Sequence, residues 1–189
     1  MRLCSARGAA HISPSLHRGQ SMGVNLFSFV DLYGKGLTTL DHVLGKGAEF
    51  AKSKGVSDAD MLEWRLIADM HPLRFQARNV INFARSWPAR AAGLEVLPDI
   101  GDDVDLAGLK AAIAETKTFL GGLTAAQFAG RDDTPHTQNL GGMEPTLPIG
   151  QWLSGFATTN FYFHLSMAYA ILRHHGVQIG KRDLFAGGL

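Results

Sequence analysis

The sequence predicts an all-α protein: an antiparallel four-helix bundle with a small β-hairpin ahead of the last helix. Three observations predict it. Apolar residues recur at alternating spacings of four and three over four long stretches, and glycine and proline gather between those stretches. A chain of 189 residues, 46% of them hydrophobic, also carries enough apolar material for one continuous core.

The first stripe, Leu26, Val30, Tyr33, Leu37, Leu40 and Leu44, predicts a helix ending near Lys54–Gly55. Gly34, Gly36, Gly45 and Gly47 each cost it about 1 kcal/mol of propensity relative to alanine. Packing must therefore hold it, and close approach of a neighbouring helix is one explanation. The second stripe, Leu62, Leu66, Asp69, Leu73, Gln76, Val80, Phe83 and Trp87, predicts a helix capped by Asp58, bent at Pro72 and ended by Pro88.

Leu106, Leu109, Ile113, Thr116, Leu120 and Leu123 make the third stripe, with Asp103 or Asp105 placed to cap it. Thr124 with Gln127 has the spacing of a capping box for a short extra turn. From Gly130 to Gly150 the chain is broken by glycine and proline, and Gly141–Gly142 predicts a hairpin turn between Thr137 and Leu147. The last helix is predicted over Ile149–His175, with Leu153, Phe156, Asn160, His164, Met167 and Ile171 on one face. Leu165, Tyr169 and Leu172 make its other side apolar as well, which points to a homodimer surface.

Charge narrows the partners. Lysine plus arginine number 18 against 17 aspartate plus glutamate, so no field of one sign argues for nucleic acid or an anionic membrane. No apolar run reaches the roughly 18 residues of a membrane helix. The single cysteine, Cys4, excludes an intramolecular disulfide or thiolate cluster and places the chain in a reducing, cytoplasmic compartment. Residues 1–21 hold Arg2, Arg7 and Arg18 with no acidic residue and no apolar h-region. They read as an N-terminal extension, disordered or lying ahead of a true start at Met22, and the helical domain is assigned to 22–189.

Four polar residues sit inside otherwise apolar stripes: Asp69, Gln76, Asn160 and His164. Buried polar groups cost several kcal/mol unless paired, so the set implies a mutual hydrogen-bond network, a small-molecule ligand or a metal. His164 is either a core histidine satisfied by Asp69 or Asn160, or a ligand to zinc, nickel or iron together with Asp69. Asn160 is a weak ligand for such ions, and a catalytic zinc normally has three good protein ligands. His71 falls on the far side of an ideal helix from Asp69 and reads as solvated; His42 reads as surface, and His174 as a C-terminal charge on the helix dipole. No Gly-rich phosphate loop, Gly-x-Ser-x-Gly elbow or His-Glu-x-x-His motif is present.

The segment PIGQWLSGFATTNFYFHLSMAYAILRHHGVQIGKRDLF, Pro148 to Phe185, resembles the C-terminal signature of a domain-of-unknown-function branch of the DinB/YfiT-like superfamily. ADMHPLRFQ, Ala68 to Gln76, resembles the same branch. The resemblance implies a four-helix bundle. It also implies comparison with a divalent-metal site of three histidines, two of them four apart on a late helix before a Leu-Arg-x-x-Gly segment. His164 stands at the matching distance before Leu172-Arg173 and Gly176, but Asn160 occupies the position four before it, and helix two offers Asp69 instead of an inward histidine.

Characterised relatives include metal-dependent transferases and isomerases that use low-molecular-weight thiols. Two functional expectations follow: a small-molecule-binding dimer with a degenerate metal site, or a divalent-metal-dependent transferase or isomerase acting on such a thiol. In the second, His164 and Asp69 hold the ion and Asn160 ligates weakly or orients substrate. A dimeric scaffold with no ligand is the third class.

Overall fold

The structure, a computed structural model, describes residues 25–188, so the N-terminal extension predicted over 1–21 lies outside the described residues. The first stripe forms as predicted: α1 spans Ser28–Ser53 and buries Val30, Tyr33, Leu37, Leu40 and Leu44. Its glycines divide by role. A Cβ on Gly36 would overlap the Phe161 ring, and one on Gly47 would stand 2.6 Å from a Leu172 methyl, whereas one on Gly34 would meet nothing within 4 Å. Gly36 and Gly47 are therefore the seam against which the last helix closes.

The second predicted helix is two helices. α2 is one short turn, Asp58–Leu62, capped by Ser57, whose hydroxyl accepts from the Asp60 amide at 3.1 Å, not by Asp58. The chain then leaves helical geometry until α3, Leu73–Ala92. Helix α2 has already ended at Leu62, so the chain is broken where a bend was predicted, and the start of α3 is set by Pro72. This proline disfavours helical geometry at His71, lacks an N–H, and stands extended at φ −71°, ψ 172° as the residue that starts α3. The intervening segment is fixed by Leu73 N–H donating to Trp64 C=O at 2.8 Å. Pro88 does not end α3; the helix runs on to Gly93, which adopts φ 71°.

α4 spans Leu106–Gly121, with Asp105 accepting from the Gly108 amide at 2.7 Å, and Thr124 with Gln127 forms the predicted capping box. The hairpin forms too: β1, Pro135–Thr137, pairs antiparallel with β2, Thr146–Pro148, and Gly141 and Gly142 take φ of 63° and 101° in its turn. The last helix is continuous but not uniform. α5, Ile149–Gln151, passes through a π-helical stretch, Trp152–Ala157, into α6, Thr158–His174.

Contacts along the helices fix their directions. α6 runs antiparallel to α3, with Gln76 beside His164, Phe83 beside Phe156 and Trp87 beside Trp152. It runs parallel to α1, with Tyr33 at Thr158, Gly36 at Phe161 and Gly47 at Leu172. α3 and α4 are also parallel, so residues 93–105 return along α3 between them, bonding Asp102 to Arg78 and Ile100 N–H to Asn82 Oδ1 at 2.9 Å. The bundle thus reads up, down, down, up, with a crossover laid over the polar side of α3.

The apolar side of α6 predicted as a dimer surface lies inside the protomer: Leu165 is 3% exposed and Leu172 0%, and Tyr169 packs against the core. After α6 the chain folds back on α1. Asp183 accepts from Gly180 N–H at 2.7 Å and from His42 Nε2 at 2.7 Å, and pairs with Lys46 at 2.9 Å. These donors hold its carboxyl well below the usual carboxylate range. His42, read as surface, is thus half of a clamp between α1 and the C-terminal turn. No helix among the described residues is long and apolar enough to cross a membrane.

Seam and open glycines should respond oppositely. Gly36→Ala is expected to lose about 1–3 kcal/mol by forcing Phe161 aside, and Gly34→Ala to gain up to about 1 kcal/mol of helix propensity. Urea unfolding checks both; a neutral Gly36→Ala would contradict the close α1–α6 seam.

Candidate functional site

Where α3 faces α6, a short polar relay crosses an aromatic wall. His71 precedes the residue that starts α3, so its carbonyl is outside the helical ladder and free to accept. Gln76, one turn in and 3% exposed, donates to it through Nε2 at 3.2 Å. A carbonyl can only accept, which fixes the orientation of the amide. Gln76 Oε1 therefore faces His164 Nδ1, 2.8 Å away, and must itself accept. His164 is thereby held as the Nδ1–H tautomer, with a lone pair on Nε2.

Nε2 makes no hydrogen bond to the described residues and is not among the buried atoms left without a partner, so it stays open to solvent. Burial is the main reason His164 resists protonation, aided by the nearby His71 and Arg78; together they push its pKa from 6.5 down to about 4. At neutral pH it is an uncharged imidazole presenting an acceptor.

The predicted partners divide. Gln76 and His164 meet directly. Asn160 is half-buried between Phe156 and His164 on the same face, but its Nδ2 turns back to the Phe156 carbonyl at 2.8 Å, leaving Oδ1 free. Asp69 is not in the site. It is exposed on the non-helical segment before Pro72, with no hydrogen bond to any of the other three. It shared their stripe only on the assumption of an unbroken helix.

That bears on the metal expected of the superfamily. Among the described residues no group of three or more His, Cys, Asp and Glu side chains converges. At the relay the donors are one imidazole nitrogen and two amide oxygens, one of them already engaged, and this set does not fit a divalent transition ion.

The residues that surround His164 were mostly missed. His71 is exposed, as predicted, but its ring stacks on Phe75 at 3.8 Å, and Phe75 meets His164 edge-on at 5.9 Å. Arg78 lies 5.1 Å over the Phe75 ring and pairs with Asp102. Phe83 packs against His164 from the other side at 6.0 Å. Two hollows open here, one of about 380 Å3 lined by His71, Phe75 and Arg78, the other of about 250 Å3 lined by Arg78, Phe83 and Phe156. A signal for His71 was present: a residue before proline is pushed to extended geometry, which puts it one turn before Phe75 at the start of a new helix.

The π-helical stretch lies at the far end of this wall. Thr158 donates its one hydroxyl proton to the Leu153 carbonyl five residues back at 2.8 Å, so the buried Tyr33 hydroxyl, 3.1 Å away, is the donor to Thr158. Burial raises the Tyr33 pKa, keeping that proton in place. π-turns of this kind are frequent beside functional sites.

Residues 28–185 match the family described as Domain of unknown function (DUF1993). Among solved structures the chain is similar to a DinB family member protein from Shewanella denitrificans, at 34% identity and a TM-score of 0.76, over 84% of this chain and 90% of that one. No curated protein matches it.

The relay has a pH signature. As pH falls, the unfolded chain binds a proton at His164 near 6.5 and the folded one only near 4, so stability is complete above 6.5 and drains away between those values. Urea midpoints at pH 7 and 4.5 should show this loss in the wild type and a smaller one in His164→Gln. Gln76→Leu, which strands the Nδ1–H, should cost about 1–3 kcal/mol at pH 7; Asp69→Ala should stay within about 0.5 kcal/mol.

Proposed function

The chain belongs to the DUF1993 family of domains of unknown function, a branch of the DinB-like superfamily, and from that membership we propose that it is a small-molecule-binding protein with a degenerate metal site. The single observation that carries this reading is His164: neutral, locked in one tautomer and open at Nε2, with each of its ring neighbours Phe75 and Phe83 lining a hollow. A rigid acceptor on an aromatic wall recognises a donor group on a ligand, and the fixed tautomer supplies orientation at little entropic cost. Gln76 sets the histidine, and Asn160 Oδ1 offers a second acceptor on the same face. Asp69 has no part in it.

The competing reading is a divalent-metal-dependent transferase or isomerase acting on a low-molecular-weight thiol. One observation favours it. A histidine whose Nδ1–H is held by an oxygen and whose Nε2 is free is arranged as metal-bound histidines usually are. Its weakness is the donor set: among the described residues no group of three or more His, Cys, Asp and Glu side chains is placed to hold an ion.

Elemental analysis of tag-free protein separates the two. The expected outcome is no stoichiometric metal after expression or after incubation with zinc, nickel or iron salts. A near-stoichiometric ion that disappears in His164→Ala would overturn the binding-protein reading and restore the transferase.

The proposal includes a cytoplasmic homodimer. Cytoplasmic placement rests on cysteine usage, and dimerisation rests on Tyr162, Phe163 and Phe185, which are 38%, 50% and 47% exposed at α6 and the C-terminal turn. Sedimentation should give a dimer at micromolar concentration that Phe163→Ser weakens; monomer alone would contradict it.

A further inference from the structure

The smaller hollow, about 250 Å3, is walled by Phe83, Trp87 and Phe156 and floored by polar side chains of α3. What distinguishes it is an excess of donors. Ser86 is 7% exposed, lines the hollow, and its hydroxyl has no partner. Asn82 spends Oδ1 on the Ile100 amide of the crossover, leaving its NH2 group unbonded. Arg90 lies 5.1 Å over the Trp87 ring with no carboxylate within ion-pair distance. Burial lowers its pKa, opposed by the charge of Asp99, the one acid that lines the hollow. Arg78 lines the same space, and although paired with Asp102 its Nε is buried and unbonded.

Donors without a protein partner, gathered around one hollow beside a cation that lacks an ion pair, suit one kind of occupant: an acceptor carrying negative charge. Flat walls select its body. We infer that this hollow binds the carboxylate of a small planar organic acid, its two oxygens taken by Ser86, Asn82 and Arg90 and its flat body lying against the aromatic wall of Phe83, Trp87 and Phe156. The volume falls just below the range of about 300–1,000 Å3 typical of drug-sized ligands, so the occupant is about the size of one ring. This rests on the reading of the α3–α6 face as a ligand site and deepens it by naming the ligand class.

The test is titration of the full chain with benzoate, benzamide and inorganic phosphate, following the Trp87 indole N–H and the Ser86 amide by NMR. Benzoate should bind at least tenfold more tightly than either benzamide or phosphate. Ser86→Ala should weaken it severalfold. Asn82→Asp, which keeps the acceptor for Ile100 but replaces the donor with a charge, should weaken it at least tenfold, and Arg90→Gln likewise. His164→Gln is measured alongside, and Asp69→Ala, outside the site, should leave benzoate affinity within twofold.

Equal affinity for benzoate and benzamide, phosphate binding as tightly as benzoate, or no binding at all would overturn the inference. Benzoate affinity lost in His164→Gln but kept in Asn82→Asp would also overturn it, while leaving the reading of His164 as a ligand contact standing.

Discussion

The place at which Pro72 makes α3 begin is the constraint on which the site depends. The proline keeps His71 out of helical geometry and starts α3 one residue after itself. In doing so it leaves the His71 carbonyl outside any helical ladder, where Gln76 finds it. Everything at His164 then follows by donor and acceptor counting: a carbonyl that can only accept orients an amide, and the amide oxygen fixes an imidazole. Had the helix run unbroken, the His71 carbonyl would have bonded within the helix, and the Gln76 Nε2 would have lost the acceptor that orients the amide.

A second constraint is the parallel pairing of α3 and α4, which obliges residues 93–105 to travel back along α3. The crossover brings polar backbone and carboxylates to that side of the helix, and α3 answers with Asn82, Arg78 and Arg90. The opposite side faces α6 through aromatic rings. α3 is thus amphipathic in an unusual sense, with an aromatic face toward one neighbour and a donor-rich face toward the returning chain, and the hollows open where the two faces meet.

Much of this architecture is legible in the residues. The stripes of α1, α4 and α6, the Asp105 cap and the Gly141–Gly142 turn depend on local rules that the fold respects. Gln76 and His164 were legible as buried polar groups, and they meet. Asp69 failed because helical periodicity was carried through residues 63–72, which are not helical. Arg78 and Arg90 were hidden for a different reason. A helix surface reads as solvated until the chain that covers it is known, and here the cover is a crossover with no periodicity of its own. Leu165 and Leu172 show the same limit from the apolar side, because only the close approach permitted by Gly36 and Gly47 encloses them.

The account turns on the protonation state of one ring. Long-range 1H–15N correlation spectra of the full chain, with the His164 signals assigned through His164→Gln, read both nitrogens directly between pH 7 and 4. The account predicts a single neutral tautomer at pH 7, proton on Nδ1 and lone pair on Nε2, persisting until the pH approaches about 4. A proton on Nε2, rapid averaging of the two tautomers, or titration at the ordinary value of 6.5 would contradict it, because the relay from the His71 carbonyl would then not set the histidine.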